Sequence, residues 1–179
     1  MNNLIKIITA VFTLTLAFSC STQNNIAAPN IAPLLESSEF TFVAEHANPN
    51  NMDVINIMNS LPGGSSARML NLDSGYTVEI RKEELEVTLP YFGRMYNSSM
   101  DPSKNSYRFT SKDFTVNKKE GKKGSSLLTL ITNDQNNNVT INMEVYKNGK
   151  TYVTVNSNNR QPISYDGFIT ENTAGKELK

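Results

Sequence analysis

From Tyr76 onward, apolar and polar residues alternate with a period of two. Tyr76, Val78 and Ile80 alternate with Thr77, Glu79 and Arg81, and Leu85, Val87 and Leu89 alternate with Glu86 and Thr88. Alternation over such lengths predicts half-buried strands. The charged run Arg81-Lys82-Glu83-Glu84 between these two reads as a hairpin loop. Further strands are expected at Phe40–Ala44, Arg68–Leu72, Tyr107–Phe109, Phe114–Val116, Leu127–Thr132, Val139–Val145 and Thr151–Val155, with a short last piece at Ile163–Ile169. Asp101-Pro102, Gly121, Gly124, the asparagine-rich run 133–138 and Asn148-Gly149 separate nearly all of them. Short strands with turns every 8 to 12 residues predict an antiparallel all-β domain.

One register follows from chemistry alone. A two-residue Asn148-Gly149 turn would put Val153 and Val155 on the same face as Glu144 and Asn142. A three-residue loop, Lys147-Asn148-Gly149, pairs Tyr146 with Lys150, sets Met143 opposite Val153 and Ile141 opposite Val155, and keeps one face apolar. A slip of one residue moves every side chain across the sheet, so the second register is expected. It places Gly149 where a type I turn plus bulge needs a left-handed residue.

Two stretches do not follow the alternation. Met52 to Leu61 has apolar residues at 52, 54, 55, 57, 58 and 61, which fits a helical stripe as well as a strand, and Pro62-Gly63-Gly64 ends it either way. Residues 21 to 38 are polar, carry two prolines and have no strong period. They read as a tether, with a short helix over Ala32 to Ser37 as the alternative.

The N-terminus has a different grammar. Lys6 precedes the apolar run Ile7 to Phe18, which ends at Ser19-Cys20. A cationic start, a short apolar stretch and a small residue before the cleavage point make a secretion signal. A membrane-spanning helix needs about 20 mainly apolar residues, and this run is shorter and broken by three threonines. Cys20, the only cysteine in the chain, marks a bacterial lipoprotein, whose cysteine thiol is acylated and becomes the new N-terminus. Phe18 and Leu16 make the box imperfect. The expected division is a signal peptide over 1–19, a flexible tether over 20–38, a β domain over 39–170 and a polar tail over 171–179. Ser21 follows Cys20 without an aspartate to signal inner-membrane retention, so an outer-membrane lipoprotein is expected; the near absence of early acidic residues favours its periplasmic face, with the cell surface as the alternative.

Removing Lys6 with the signal leaves 16 basic side chains against 17 acidic ones. That balance does not favour nucleic acid, whose footprint is a basic patch or stripe. His46 is the single histidine, and no elbow-type serine motif accompanies it. Neither a catalytic triad nor zinc is supported, and no metal, cofactor or enzymatic activity is expected. Glu83-Glu84 and Glu84/Glu86 are carboxylate pairs beside a hairpin loop, where solvated charge is ordinary. Lys118-Lys119-Glu120-Gly121-Lys122-Lys123 is a basic loop between strands, which keeps its neighbours soluble or touches anionic head groups or glycans.

Two segments carry more. Leu89-Pro90-Tyr91-Phe92-Gly93-Arg94 breaks its strand with a proline followed by two aromatics, a glycine and an arginine. Asn158-Asn159-Arg160-Gln161-Pro162-Ile163-Ser164-Tyr165-Asp166-Gly167 has a similar mix. Arginine with aromatics is the composition of a binding surface, and Tyr91, Phe92, Arg94, Arg160 and Tyr165 are its candidate residues. The two segments are expected to meet at one end of the β domain, beside an anionic or carbohydrate partner. The alternative is that each arginine ties down its own loop.

The same segments, with Phe42-Val43-Ala44 leading to Asn48-Pro49, resemble the Bacteroidetes lipoprotein family called domain of unknown function 4251, from about Glu39 to Ile169. In that family a tyrosine is often followed by Phe-Gly-Arg, a small residue and a tyrosine; here Met95 takes the small position before Tyr96. The Met52 to Gly64 stretch is longer than usual. The resemblance implies a secreted, membrane-anchored domain and no assigned activity, so it brings no catalytic residue.

The expected architecture is an antiparallel meander of eight or nine strands in a closed or nearly closed lipocalin-like barrel, with a two-sheet sandwich as alternative. The leading functional expectation is a non-catalytic envelope lipoprotein, held to the membrane by its lipid, that binds a partner protein or glycan. A barrel binding a small apolar ligand comes second, and a hydrolase third.

Overall fold

The computed structural model describes residues 31–96 and 106–172. Nine strands form a single antiparallel sheet: β1 (Phe40–Pro49), β2 (Thr77–Ile80), β3 (Leu85–Pro90), β4 (Ser106–Ser111), β5 (Phe114–Glu120), β6 (Ser126–Thr132), β7 (Thr140–Val145), β8 (Lys150–Ser157) and β9 (Arg160–Thr170). Their spatial order is β4-β3-β2-β1-β9-β8-β7-β6-β5. The first and last strands pair with each other, and the sheet curls into a nearly closed barrel.

The way it closes follows from counting directions. Eight successive antiparallel steps separate β4 from β5, so the two strands run the same way. A parallel crossover needs a dozen or more residues, and only Lys112 and Asp113 lie between Ser111 and Phe114. β4 and β5 are therefore two halves of one bent strand. Its first half pairs with β3 and its second half with β6. After Ser106, the half-buried and buried positions run 107, 109, 111 and then 114, 116. The step of three at 112–113 is a bulge-like kink that switches partners. The barrel is in effect an eight-stranded meander whose closing strand divides its hydrogen bonds between two neighbours.

The kink is held from outside by the β6–β7 loop. Asp134 accepts hydrogen bonds from Ser111 Oγ at 2.6 Å, Lys112 N–H at 2.8 Å and Asp113 N–H at 3.3 Å. The Ser111 hydroxyl, and next the Lys112 N–H, lower the Asp134 carboxyl to about 2. Asn133 adds its backbone N–H to the Asp113 carbonyl at 2.8 Å, and Gln135 Nε2 donates to the Thr110 carbonyl at 3.1 Å.

Inside, the alternation does what the sequence requires. Phe40, Phe42, Val78, Ile80, Leu85, Val87, Leu89, Leu128, Leu130, Ile141, Met143, Val153, Val155, Ile163 and Tyr165 are all essentially sealed from solvent and form one cluster. An eight-stranded barrel is just wide enough for side chains to fill, and these fill it. The β7–β8 hairpin takes the register expected from its apolar face. Met143 pairs with Val153 and Ile141 with Val155, Tyr146 N–H donates to the Lys150 carbonyl at 2.8 Å, and Gly149 has φ 81°.

Three segments differ from or sharpen the sequence reading. Met52–Ser60 is helix α2, which resolves the ambiguous stretch: the Asn51 side chain caps it by accepting from Asp53 N–H at 2.9 Å, a favoured N-cap arrangement. Arg68 to Leu72, expected as a strand, is mostly helix α3 (Ser66–Leu70). Only Leu70 in that helix is buried, so no alternating face exists to hold a strand, and Asn71 alone forms a bridge to His46. Ala32–Ser37, assigned to the tether, takes the helical alternative; Leu34 and Leu35 pack against the core, and Leu35 carbonyl accepts from Lys118 Nζ at 2.8 Å. We call this helix α1, since it precedes α2. Asn172, assigned to the tail, is bonded into the barrel through Thr41 Oγ1 and the Ile80 carbonyl, at 2.9 Å each.

The meander sorts its connections between two ends. The chain enters at α1 and leaves after β9 at the same end, beside the β2–β3, β5–β6 and β7–β8 turns; this is the entry end. The opposite, far end carries the long β1–β2 connection with α2 and α3, the β3–β4 connection, and the β6–β7 and β8–β9 turns.

Candidate functional site

The two arginine–aromatic segments meet at the far end, as expected. Arg160 pairs with Met95 in an isolated bridge. Gln161 N–H donates to the Arg94 carbonyl at 3.0 Å, and Tyr96 N–H to the Asn159 carbonyl at 2.9 Å. Tyr91 straps the junction: its hydroxyl lies 2.8 Å from the Arg94 carbonyl and 3.1 Å from the Gln161 carbonyl. To reach them the ring folds over Gly93, where a Cβ would come within 2.5 Å of the Tyr91 hydroxyl. The Tyr-Phe-Gly-Arg order therefore has a steric origin: the glycine makes room for the tyrosine two residues before it.

The five candidate residues divide into two groups. Arg160 is 5 % exposed and Tyr165 is fully buried. Tyr165 offers no face to a partner, and Arg160 reaches solvent at the small cleft beside β4. The Arg160 guanidinium sits 4.9 Å from the Tyr91 ring centre and 4.7 Å from that of Tyr107. The two rings meet edge to face at 88°. Arg160 Nε donates to Asn159 Oδ1 at 3.2 Å and one terminal nitrogen to the Ser106 carbonyl at 3.3 Å. Tyr165 donates to the Pro90 carbonyl at 2.5 Å, satisfying the last carbonyl of β3 where proline ends the ladder. Burial raises the hydroxyls of all three tyrosines: Tyr91 up to about 12, Tyr107 above its ordinary value and Tyr165 well above it. The phenols stay neutral, as donors and as ring faces for a cation. Arg160 and Tyr165 thus fasten the strand ends together, the alternative the sequence left open.

Arg94 and Tyr96 are the outward part of the junction. Arg94 is exposed, Tyr96 is 60 % exposed, and Phe92 is half-buried against the core. Tyr107 and Asp134 were not among the candidates from sequence. Tyr107 occupies an inward strand position, which was legible, but its contact with Arg160 spans 53 positions. Asp134 was hidden in an asparagine-rich turn.

Other exposed apolar side chains share the far end. Met52, Ile57, Leu61 and Met69 on or beside α2 and α3 are 40 % exposed or more. A cleft of about 200 Å³ lies beside β4, between Tyr107, Phe109, Gln135, Val139 and Arg160. At the entry end a larger open cleft, about 650 Å³, is lined by Glu45, Lys123, Tyr146, Lys147, Lys150 and Asp166 among others. His46 Nδ1 lies 2.8 Å from Asn71 Oδ1, and Glu84 is paired with Arg81 at 3.1 Å. Among the described residues, no group of three or more His, Cys, Asp or Glu side chains is arranged to hold a metal, and no helix is long and apolar enough to cross a membrane. Cys20 lies outside the described residues.

No curated protein matches the chain. Among solved structures, it is similar to a DUF4251 family protein from Bacteroides eggerthii DSM 20697, with 12 % identity and a TM-score of 0.49 over 82 % of this chain and 88 % of that one. The family model described as "Domain of unknown function (DUF4251)" matches residues 22–169. With most of its length under that match, the chain belongs to the DUF4251 family.

Proposed function

We propose that the protein is a non-catalytic, lipid-anchored envelope module that presents its far end to a partner protein or glycan. The packed interior carries this reading. A barrel that took a small apolar ligand would keep a cavity of about 300 Å³ or more, whereas here large side chains from β1 to β9 close on one another and the cleft beside β4 holds about 200 Å³. Recognition then falls to the outside. Arg94, Tyr96 and the exposed Met52, Ile57, Leu61 and Met69 gather on the far-end connections, and arginine, aromatics and methionine are residues over-represented at interfaces. The anchor rests on the signal grammar ending at Cys20, the outer-membrane location on the absence of an aspartate after it, and the periplasmic face on the near absence of acidic residues early in the mature chain.

The test has two parts. Labelled fatty acid should enter the wild-type protein and not Cys20→Ala, which should leave the membrane fraction. Partner capture from envelope extracts should weaken in Arg94→Ala/Tyr96→Ala while the melting temperature holds. Labelling of Cys20→Ala would remove the anchor, and undiminished capture by the double variant would remove the binding face.

A further inference from the structure

We infer that the entry end is a lipid-facing surface that lies on the phosphate head groups of an anionic bilayer. This extends the reading of a Cys20 anchor by giving the anchored domain an orientation. Its charge and exposure observations are independent of Cys20. Lys118, Lys119, Lys122 and Lys123 on β5 and the β5–β6 turn, with Lys147 and Lys150 on the β7–β8 turn, are all exposed at that end. Glu120 and Glu144 are the acidic side chains on the same strands, while Glu36 in α1, Glu39 before β1 and Glu83 and Glu84 on the β2–β3 turn bring acidic charge to the rest of that end, so the lipid contact is confined to the β5–β6 and β7–β8 turns. Lys123 is held in the left-handed region at φ 57°. It shares the 650 Å³ cleft with Lys147 and Lys150, so two separate turns deliver three cations to one place, against Glu45 and Asp166 on the same lining.

Apolar side chains are interleaved with the lysines. Leu127 is 39 % exposed opposite Lys119, Phe168 is 38 % exposed opposite Lys150, and Tyr146 is 43 % exposed at the start of the β7–β8 turn. Amphipathic aromatics beside basic side chains suit the head-group region, where one end of a ring is dry and the other wet. The chain length agrees. Ten residues separate Cys20 from Ile31, a span of at most about 35 Å when fully drawn out. Ile31 and α1 sit at the entry end, so a lipid on Cys20 draws the lysine-bearing turns, and not the far end, toward the bilayer.

The test uses the chain from position 20 onward carrying Cys20→Ser, so that no lipid contributes. It should sediment with vesicles of phosphatidylcholine containing phosphatidylglycerol, more strongly as the anionic fraction rises and less as salt rises. Vesicles of phosphatidylcholine alone should not retain it. Neutralising three charges at the entry end, Lys122→Gln/Lys123→Gln/Lys147→Gln, should weaken retention by roughly a hundredfold, given about fivefold for each lysine near an anionic surface, and Lys122→Glu/Lys123→Glu/Lys147→Glu by more. Arg68→Glu/Arg94→Glu at the far end should change it less than twofold. Equal retention on neutral and anionic vesicles, or equal loss in the entry-end and far-end variants with circular dichroism unchanged, overturns the inference. Failure of fatty-acid labelling at Cys20 would remove the anchor and leave this result standing.

Discussion

Arg160 and Arg94 sit on neighbouring segments, and the structure gives them opposite roles. Truncating Arg160 to alanine removes a guanidinium packed against two tyrosine rings at 4.9 and 4.7 Å and hydrogen-bonded to Asn159 and Ser106. A desolvated cation–ring contact contributes about 1–2 kcal/mol. Each hydrogen bond from a charged donor contributes about 1 kcal/mol here, at the low end because both are longer than 3 Å. These effects overlap, so the expected loss is about 3–4 kcal/mol. For a domain of this size about 3–4 °C accompanies each kcal/mol, which places the Arg160→Ala melting temperature roughly 10–15 °C below wild type. Arg160→Lys, which keeps the charge but not the plane, should recover less than half of that. Arg94→Ala removes an exposed side chain and should stay within about 0.5 kcal/mol. Thermal and urea unfolding followed by circular dichroism measure all three. An Arg160→Ala melting point within about 2 °C of wild type would refute the buried-clamp reasoning, as would an Arg94→Ala loss of equal size.

Other predictions follow from single contacts. Gly167→Ala sets a Cβ against the Val43 backbone carbonyl and the Phe42 ring, at the β1 bulge between Ala44 and His46; neither backbone can yield cheaply, and a loss of about 3 kcal/mol or failure to fold is expected on expression and urea titration. Tyr165→Phe leaves the Pro90 carbonyl without its buried donor and should cost about 1–2 kcal/mol in the same titration. Asp134→Ala frees the kink between β4 and β5. The folded carboxyl lies at about 2, below its ordinary 3.8, so its contribution is full above pH 4 and is lost as pH falls through 2. The melting-temperature gap between wild type and Asp134→Ala should therefore be largest near neutrality and close toward pH 2; a gap that stays constant would contradict the clamp.

Much of the barrel was legible because its code is local. Val78/Ile80 and Leu85/Val87/Leu89 read directly as inward rows, and one glycine plus one apolar face settled the β7–β8 register. The misreadings have physical causes. Arg68 to Leu72 offers three apolar residues in five without a consistent face, so the segment follows its tertiary setting. Met52 to Leu61 suits either period, and the deciding signal was the Asn51 cap just ahead of it. The single bent strand could not be seen in two short patterns at 107–109 and 114–116, because its continuity depends on which neighbours its halves choose. The meeting of residues 91–96 with 158–161 was legible from their shared composition. The burial of Arg160 was not, since it requires Tyr107 from a third segment.

Photocrosslinking in living cells tests most directly the claim that the far end meets a partner while the entry end lies on lipid. A photoreactive residue is placed at position 96 or at position 122. Protein or glycan adducts are expected from position 96 and lipid adducts from position 122. Lipid adducts from position 96 with none from position 122 would contradict it.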